Sequence, residues 1–302
     1  MNVEVAIEVL KYVELVTTIN HISMLVILVL VGVSSAIASP IPQNKRSKSD
    51  TDIKAIGHRS IGHDTNFYSP QKEKELGKSL SQEVERKAAV LRDPAIMVYV
   101  ERVAENVAHN SDAHFPVMVT VINSDSVNAF TLAGGYQYVT LGLLLRLEGE
   151  GEFASVLARG IAHTALRSAT REATKNEMMQ LAGIPAAPLG TAGQAANGAN
   201  SAIPLTILEV RRDDELDADY FGVQYVYKAG YDPKAFTDVI QRVWDPSTTG
   251  EKLSTNLSTF PPVDERLAAL RKEISEILPP RADAKVSSPD FDAFKDRVRL
   301  LH

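Results

Sequence analysis

The chain has 302 residues, 44% of them apolar and 23% charged, with a formal net charge of −6. It can bury one sizeable core with appendages, and it lacks the basic footprint that nucleic-acid binding requires. The absence of cysteine excludes disulfides, thiolate metal sites and cysteine nucleophiles.

Residues 22–33 are almost wholly apolar and lead into Ala36-Ile37-Ala38, a small-x-small cleavage site before Ser39. Residues 1–38 therefore read as a signal peptide or an N-terminal membrane anchor, with a membrane tether through residues 22–37 in the second case. The apolar run of about 16 residues is shorter than the roughly 20 that span a bilayer, which favours a cleaved leader. Glu4, Glu8 and Glu14 against Lys11 make a poor basic leader, and a start at Met24 is the alternative. Either way the protein is expected to be exported, periplasmic or membrane-associated. Residues 39–65 shift to Pro, Ser, Lys, Asn and Asp and read as a disordered linker. The main domain is expected over 66–277, with a C-terminal tail and short helix over 278–302.

Ser69-Pro70 is a helix N-terminus, and Leu76, Leu80, Val84 and Ala88 recur at the spacing of a buried stripe. Asp93-Pro94 starts a second helix, with Ile96, Val100, Val103 and Val107 on one face. The β-branched run 115–122 predicts a strand, and two short strands flank the Gly134-Gly135 turn, over 128–132 and 136–140. Residues 141–147 form a short apolar helix. A central helix is expected over 152–181, then a mobile loop over 183–202. Further helices are expected over 204–229 and 233–244, and one after Pro261-Pro262 that turns Leu267, Leu270 and Ile274 inward. The last segment, 291–301, is weakly amphipathic and is expected either to dock or to fray.

Arg159-Gly160-Ile161-Ala162-His163 lies in the central helix and has the frame of a zinc-protease helix. That frame places two histidines at i and i+4 with a glutamate after the first. Here the second histidine is present, arginine stands in the first histidine's place and glycine in the glutamate's. Downstream, Glu215 and Asp219 stand one turn apart on one helix face.

In order, Ser69-Pro70, Asn128-Ala129-Phe130, Gly134-Gly135-Tyr136, Ile161-Ala162-His163 with Leu166-Arg167, Glu215 with Ala218-Asp219 and Gly222, Ala229-Gly230-Tyr231-Asp232-Pro233, and Pro261-Pro262 with Glu265-Arg266 make up a specific set. On these residues the chain resembles the gluzincin metallopeptidase family of the CAAX prenyl proteases and HtpX-type proteases, in its periplasmic bacterial branch. The resemblance covers about residues 66–272. It implies an α+β, mostly helical zincin-like domain with a small β-sheet that carries a substrate-binding edge strand. It also implies zinc as the family's cofactor and extended or unfolded polypeptide as the partner. Position by position, His163 matches the second zinc histidine, Glu215 the third ligand, and Asp219 the acid that braces the site. Gly134, Gly135 and Tyr136 match the strand that binds peptide by β-addition. Arg159 departs from the pattern at the first ligand and Gly160 at the general base; Phe260 stands where the family commonly has histidine.

Arginine stays protonated and has no lone pair, so Arg159 cannot ligate zinc and repels it. Loss of a general base costs about 10²- to 10⁴-fold in rate. The expectation is a pseudoenzyme: a catalytically impaired peptidase homologue that binds extended polypeptide, with Arg159 replacing the metal's charge beside Glu215 and Asp219. The alternative is an active zinc metalloendopeptidase of the same family in envelope protein quality control, drawing another ligand or base from His58, His109 or His114. A third possibility, from another class, is a binding or chaperone-like role in which the retained groove holds extended polypeptide through edge-strand residues such as Tyr136 and Tyr138.

Overall fold

The structure is a computed structural model that describes residues 47–62, 64–181, 212–244 and 261–302. The chain divides after Ser47, and its second unit spans Lys48–His302. The elements of that unit run α1 (Lys48–Thr51), α2 (Pro70–Lys87), α3 (Pro94–His109), β1 (Met118–Ile122), β2 (Ala129–Thr131), β3 (Tyr136–Thr140), α4 (Leu141–Arg146), α5 (Glu150–Leu166), α6 (Ser168–Leu181), α7 (Arg212–Lys228), α8 (Lys234–Val243), α9 (Val263–Glu276) and α10 (Pro289–Leu301). The α+β expectation holds: a small mixed sheet among many helices. The expected loop 183–202, the first part of the helix over 204–229, Phe260 and the apolar run 22–33 all lie outside the described residues. Among those described, no helix is long and apolar enough to cross a membrane.

The sheet order is β1-β3-β2, with β3 parallel to β1 and antiparallel to β2. Residues 89–91 cover the outer side of β1 through Leu91 N–H to the Val121 carbonyl and Asn123 N–H to the Ala89 carbonyl. Because β3 pairs on both sides, the expected edge strand at Tyr136 is the centre of the sheet. The edge is β2. The hairpin works because Gly134 (φ 73°) and Gly135 (φ 91°) take left-handed turns that other residues resist.

One face of the sheet lies under α2, where Tyr138, Leu132, Ile122 and Val84 form a small cluster and Phe130 stacks on Tyr138 at 4.9 Å. The other face looks onto α5, which is buried along its whole length in the main core. The stripe of α2 departs from expectation: Glu73, Gly77, Ser81 and Val84 are buried, whereas Leu76, Leu80 and Ala88 are only half-buried. Close packing decides this, since a Cβ on Gly77 would sit 2.0 Å from the Ala133 carbonyl oxygen.

The expected single helix over 152–181 is two helices. Arg167 breaks it in a left-handed conformation (φ 55°, ψ 37°). Such a residue costs roughly 1–2 kcal/mol. Its side chain offsets that cost by donating to Glu73 Oε2 at 2.6 Å and to the Tyr68 carbonyl at 2.5 Å. Glu73 lies 94 residues away in sequence, so no local pattern announces the break.

At the front of this unit an expectation changes, and at its end one of the two expected outcomes is found. Within the expected disordered linker, residues 48–62 carry α1 and a short 3-10 turn, Ile53–Ala55, and they are anchored on the domain. Arg59 is buried and pairs with Asp112; its Nη1 also donates to Gln224 Oε1 at 2.6 Å. At the other end α10 docks, because Phe294 stacks on Tyr99 at 4.3 Å and packs with Phe153 and Phe291. Lys295 caps α4, donating to the carbonyls of Leu144 (2.9 Å), Leu145 (2.6 Å) and Leu147. Substituting Lys295→Met is expected to cost about 1–3 kcal/mol, since it strips partners from buried carbonyls. Urea unfolding would show this as a lower midpoint with an unchanged slope; an unmoved midpoint would count against the cap.

Candidate active site

Helices α5 and α7 pack face to face, and the glycine at 222 sets their approach. A Cβ there would lie 3.3 Å from Arg159 Cα and 2.9 Å from Phe236 Cε2. Arg159 and His163 stand one turn apart on α5, Glu215 and Asp219 one turn apart on α7, so the four side chains meet. All are buried, from 2% exposed at Glu215 to 9% at His163.

Arg159 pairs with Glu215 through Nη2, and its Nε lies 3.5 Å from Asp219 Oδ1. Arg266, from α9, grips Asp219 with a two-pronged bond, Nε to Oδ2 at 2.6 Å and Nη2 to Oδ1 at 2.8 Å. Trp244, just past α8, presents its ring to both guanidiniums, 5.2 Å from Arg159 Cζ and 5.5 Å from Arg266 Cζ. Two buried carboxylates thus face two buried guanidiniums, so that the charges are matched in number. Burial, then the charge of Arg266, pushes the Arg159 pKa down to about 10 against the pull of Asp219, so the side chain is still a cation at neutral pH.

His163 completes the group without charge. Burial first, then the neighbouring Arg159 and Arg266 charges, holds its pKa well below the ordinary histidine value. Its Nε2, 3.7 Å from Glu215 Oε1, therefore faces the carboxylate as a neutral ring, not as an ion pair. Its Nδ1 is 3.3 Å from Ser168 Oγ, the first residue of α6.

Among the described residues, the donors at this site do not make up a zinc site. A catalytic zinc takes three protein donors and keeps a fourth position for water. His163 and Glu215 offer two, and Glu215 is already bound by a cation that repels a second one. Gly160 carries no base. His58, His109 and His114 are exposed on the outside of the domain, and among the described residues no group of three or more His, Asp or Glu is placed to hold a metal.

The expected peptide-binding residues are placed otherwise. Gly134 and Gly135 are buried under α2 and against Pro116: a Cβ on Gly134 would be 3.2 Å from Lys74 Cα, and one on Gly135 2.1 Å from the Pro116 carbonyl oxygen. Tyr136 pairs with Met118, and Tyr138 is 1% exposed, so neither is free to receive a strand. The structure brings together Arg159, His163, Glu215 and Asp219 as the sequence predicts. It adds Trp244 and Arg266. The Pro-Pro and Glu-Arg motif signalled Arg266 without giving it a role; nothing local marked Trp244.

The family model described as peptidase family M48 matches residues 94–274, more than half of the chain. The beta-barrel assembly-enhancing protease of Yersinia pestis is 26% identical over 245 residues, covering 76% of this chain and 49% of that protein. The putative protease of the same description from Vibrio cholerae is 28% identical over 222 residues, covering 70% and 45%. The mitochondrial metalloendopeptidase OMA1 of Schizosaccharomyces pombe is 29% identical over 207 residues, covering 68% and 58%. The chain thus spans about half the length of the curated relatives it matches. With the matched region running from α3 into α9 and enclosing both helices of the site, the chain belongs to peptidase family M48.

Proposed function

We propose that this protein is a noncatalytic member of its peptidase family that holds extended polypeptide without cutting it, as an exported protein in envelope protein quality control. The observation that carries the noncatalytic half is the Arg159–Glu215 pair, which commits the one remaining carboxylate donor to a fixed cation. Relatives named for enhancing beta-barrel assembly support the setting.

The polypeptide half rests on the edge strand β2. Leu132 N–H donates to the Tyr136 carbonyl and Thr140 N–H to the Asn128 carbonyl, so the even-numbered residues face β3. In an antiparallel ladder the alternate residues, Ala129 and Thr131, then turn their N–H and C=O groups away from β3, where an added strand would pair.

Protein purified without added metal is expected to hold far less than one zinc per chain by mass spectrometry and to leave unfolded casein intact while binding it. Stoichiometric zinc with chelator-sensitive cleavage would establish the active metalloendopeptidase instead. Ala129→Pro removes one outward N–H without touching the bonds to β3. It is expected to weaken casein binding about five- to tenfold, the worth of roughly one hydrogen bond. Unchanged binding in a folded variant would exclude this edge.

A further inference from the structure

Glycine is a poor choice at position 160, inside a helix that is buried along its whole length. The sheet supplies the reason. A Cβ built on Gly160 would lie 2.3 Å from Gln137 Nε2, 2.8 Å from Gln137 Cδ and 2.6 Å from Thr131 Oγ1. Gln137 is on the face of β3 turned to α5, opposite to Tyr138, and is 3% exposed. Its Nε2 donates to the Leu157 carbonyl at 3.2 Å. The carboxamide therefore crosses from the central strand to the site helix through the volume that any side chain at 160 would take.

We propose that Gln137 is the plug of this site: it occupies the place of the family's general base and staples β3 to α5, and Gly160 is required to admit it. This deepens the noncatalytic reading. The site has been rebuilt from two sides, with Arg159 taking the cation's place and Gln137 the base's. A change at position 160 alone then meets a filled space. To make room, Gln137 must give up its bond to the Leu157 carbonyl while buried, where an amide without a partner is costly. Thr131 is the lesser obstacle, because its hydroxyl can rotate away within the half-buried edge strand.

The test is a double-mutant cycle of Gly160→Ala and Gln137→Ala read by thermal unfolding of the full chain. In an unobstructed helix Gly→Ala raises the midpoint. Here Gly160→Ala is expected to lower it by about 2–4 °C in the parent and to raise it in the Gln137→Ala background. A rise in the parent by itself overturns the plug, even if the Gln137→Ala chain does not fold. Relief by Thr131→Ala and not by Gln137→Ala overturns the assignment to Gln137. The cycle uses neither metal nor substrate, so zinc or cleavage found in the parent would sink the noncatalytic reading while leaving this result to stand or fall separately.

Discussion

Arg159→Met is expected to lower the stability of the protein by about 3–5 kcal/mol, the usual cost of removing one partner from a buried ion pair. The reason lies in what remains. Glu215 is 2% exposed and would be left in the interior with no cation of its own, because Arg266 is already spent on Asp219 through two bonds. Trp244 would lose one of the two guanidiniums that its ring faces. Methionine preserves most of the volume, which separates loss of charge from creation of a cavity. Urea titration should show a lower midpoint with the parent's slope. Arg159→Lys keeps the charge but not the planar fork, so it should fall between the two. A midpoint equal to the parent's in Arg159→Met would mean that the cluster carries no stability.

A loss of similar size, about 3–5 kcal/mol, is expected for Asp112→Ala. Asp112 accepts from Gly57 N–H at 2.7 Å, Arg59 N–H at 3.1 Å, Arg59 Nε at 2.9 Å, Arg59 Nη2 at 2.6 Å and the Tyr225 hydroxyl at 2.9 Å. Alanine would strand a guanidinium whose side chain is fully buried. It would also remove the carboxylate through which residues 57–59 are tied to the domain. Hydrogen exchange should then show the amides of Gly57 and Arg59 unprotected while α5 stays protected. Retained protection at both amides would show that apolar contacts, such as those of Ile56 in the core, hold the segment without the ion pair.

Much of the fold could be read from local pattern. The helices α3, α8 and α9 announce themselves through apolar residues at helical spacing and through proline at or before their starts, and the Gly134-Gly135 pair marks the β2–β3 turn. Elsewhere the pattern misled because a distant partner overrode it. The buried side of α2 is lined by Glu73 and Gly77 in place of Leu76 and Leu80, since Glu73 meets Arg167 and Gly77 meets the chain at Ala133. Residues 48–62 have the composition of a linker, yet one arginine finding one aspartate is enough to order them. At the site, spacing put Arg159 with His163 and Glu215 with Asp219, because i, i+4 neighbours share a face wherever the helix packs, and the family resemblance of the flanking motifs singled these four out.

By itself, then, the sequence determined which side chains share a helical face and that arginine and glycine stand where the family resemblance expects a zinc histidine and a general base. Only the tertiary structure decided what those replacements meet: Glu215 and the Trp244 ring for Arg159, Gln137 and Thr131 for Gly160. It also decided that β2, not β3, is the edge of the sheet. Local spacing follows from the geometry of a single helix or strand. Contacts between elements depend on how closely two backbones approach and which charges are left to be matched once water is excluded, and neither is written in any one stretch of chain.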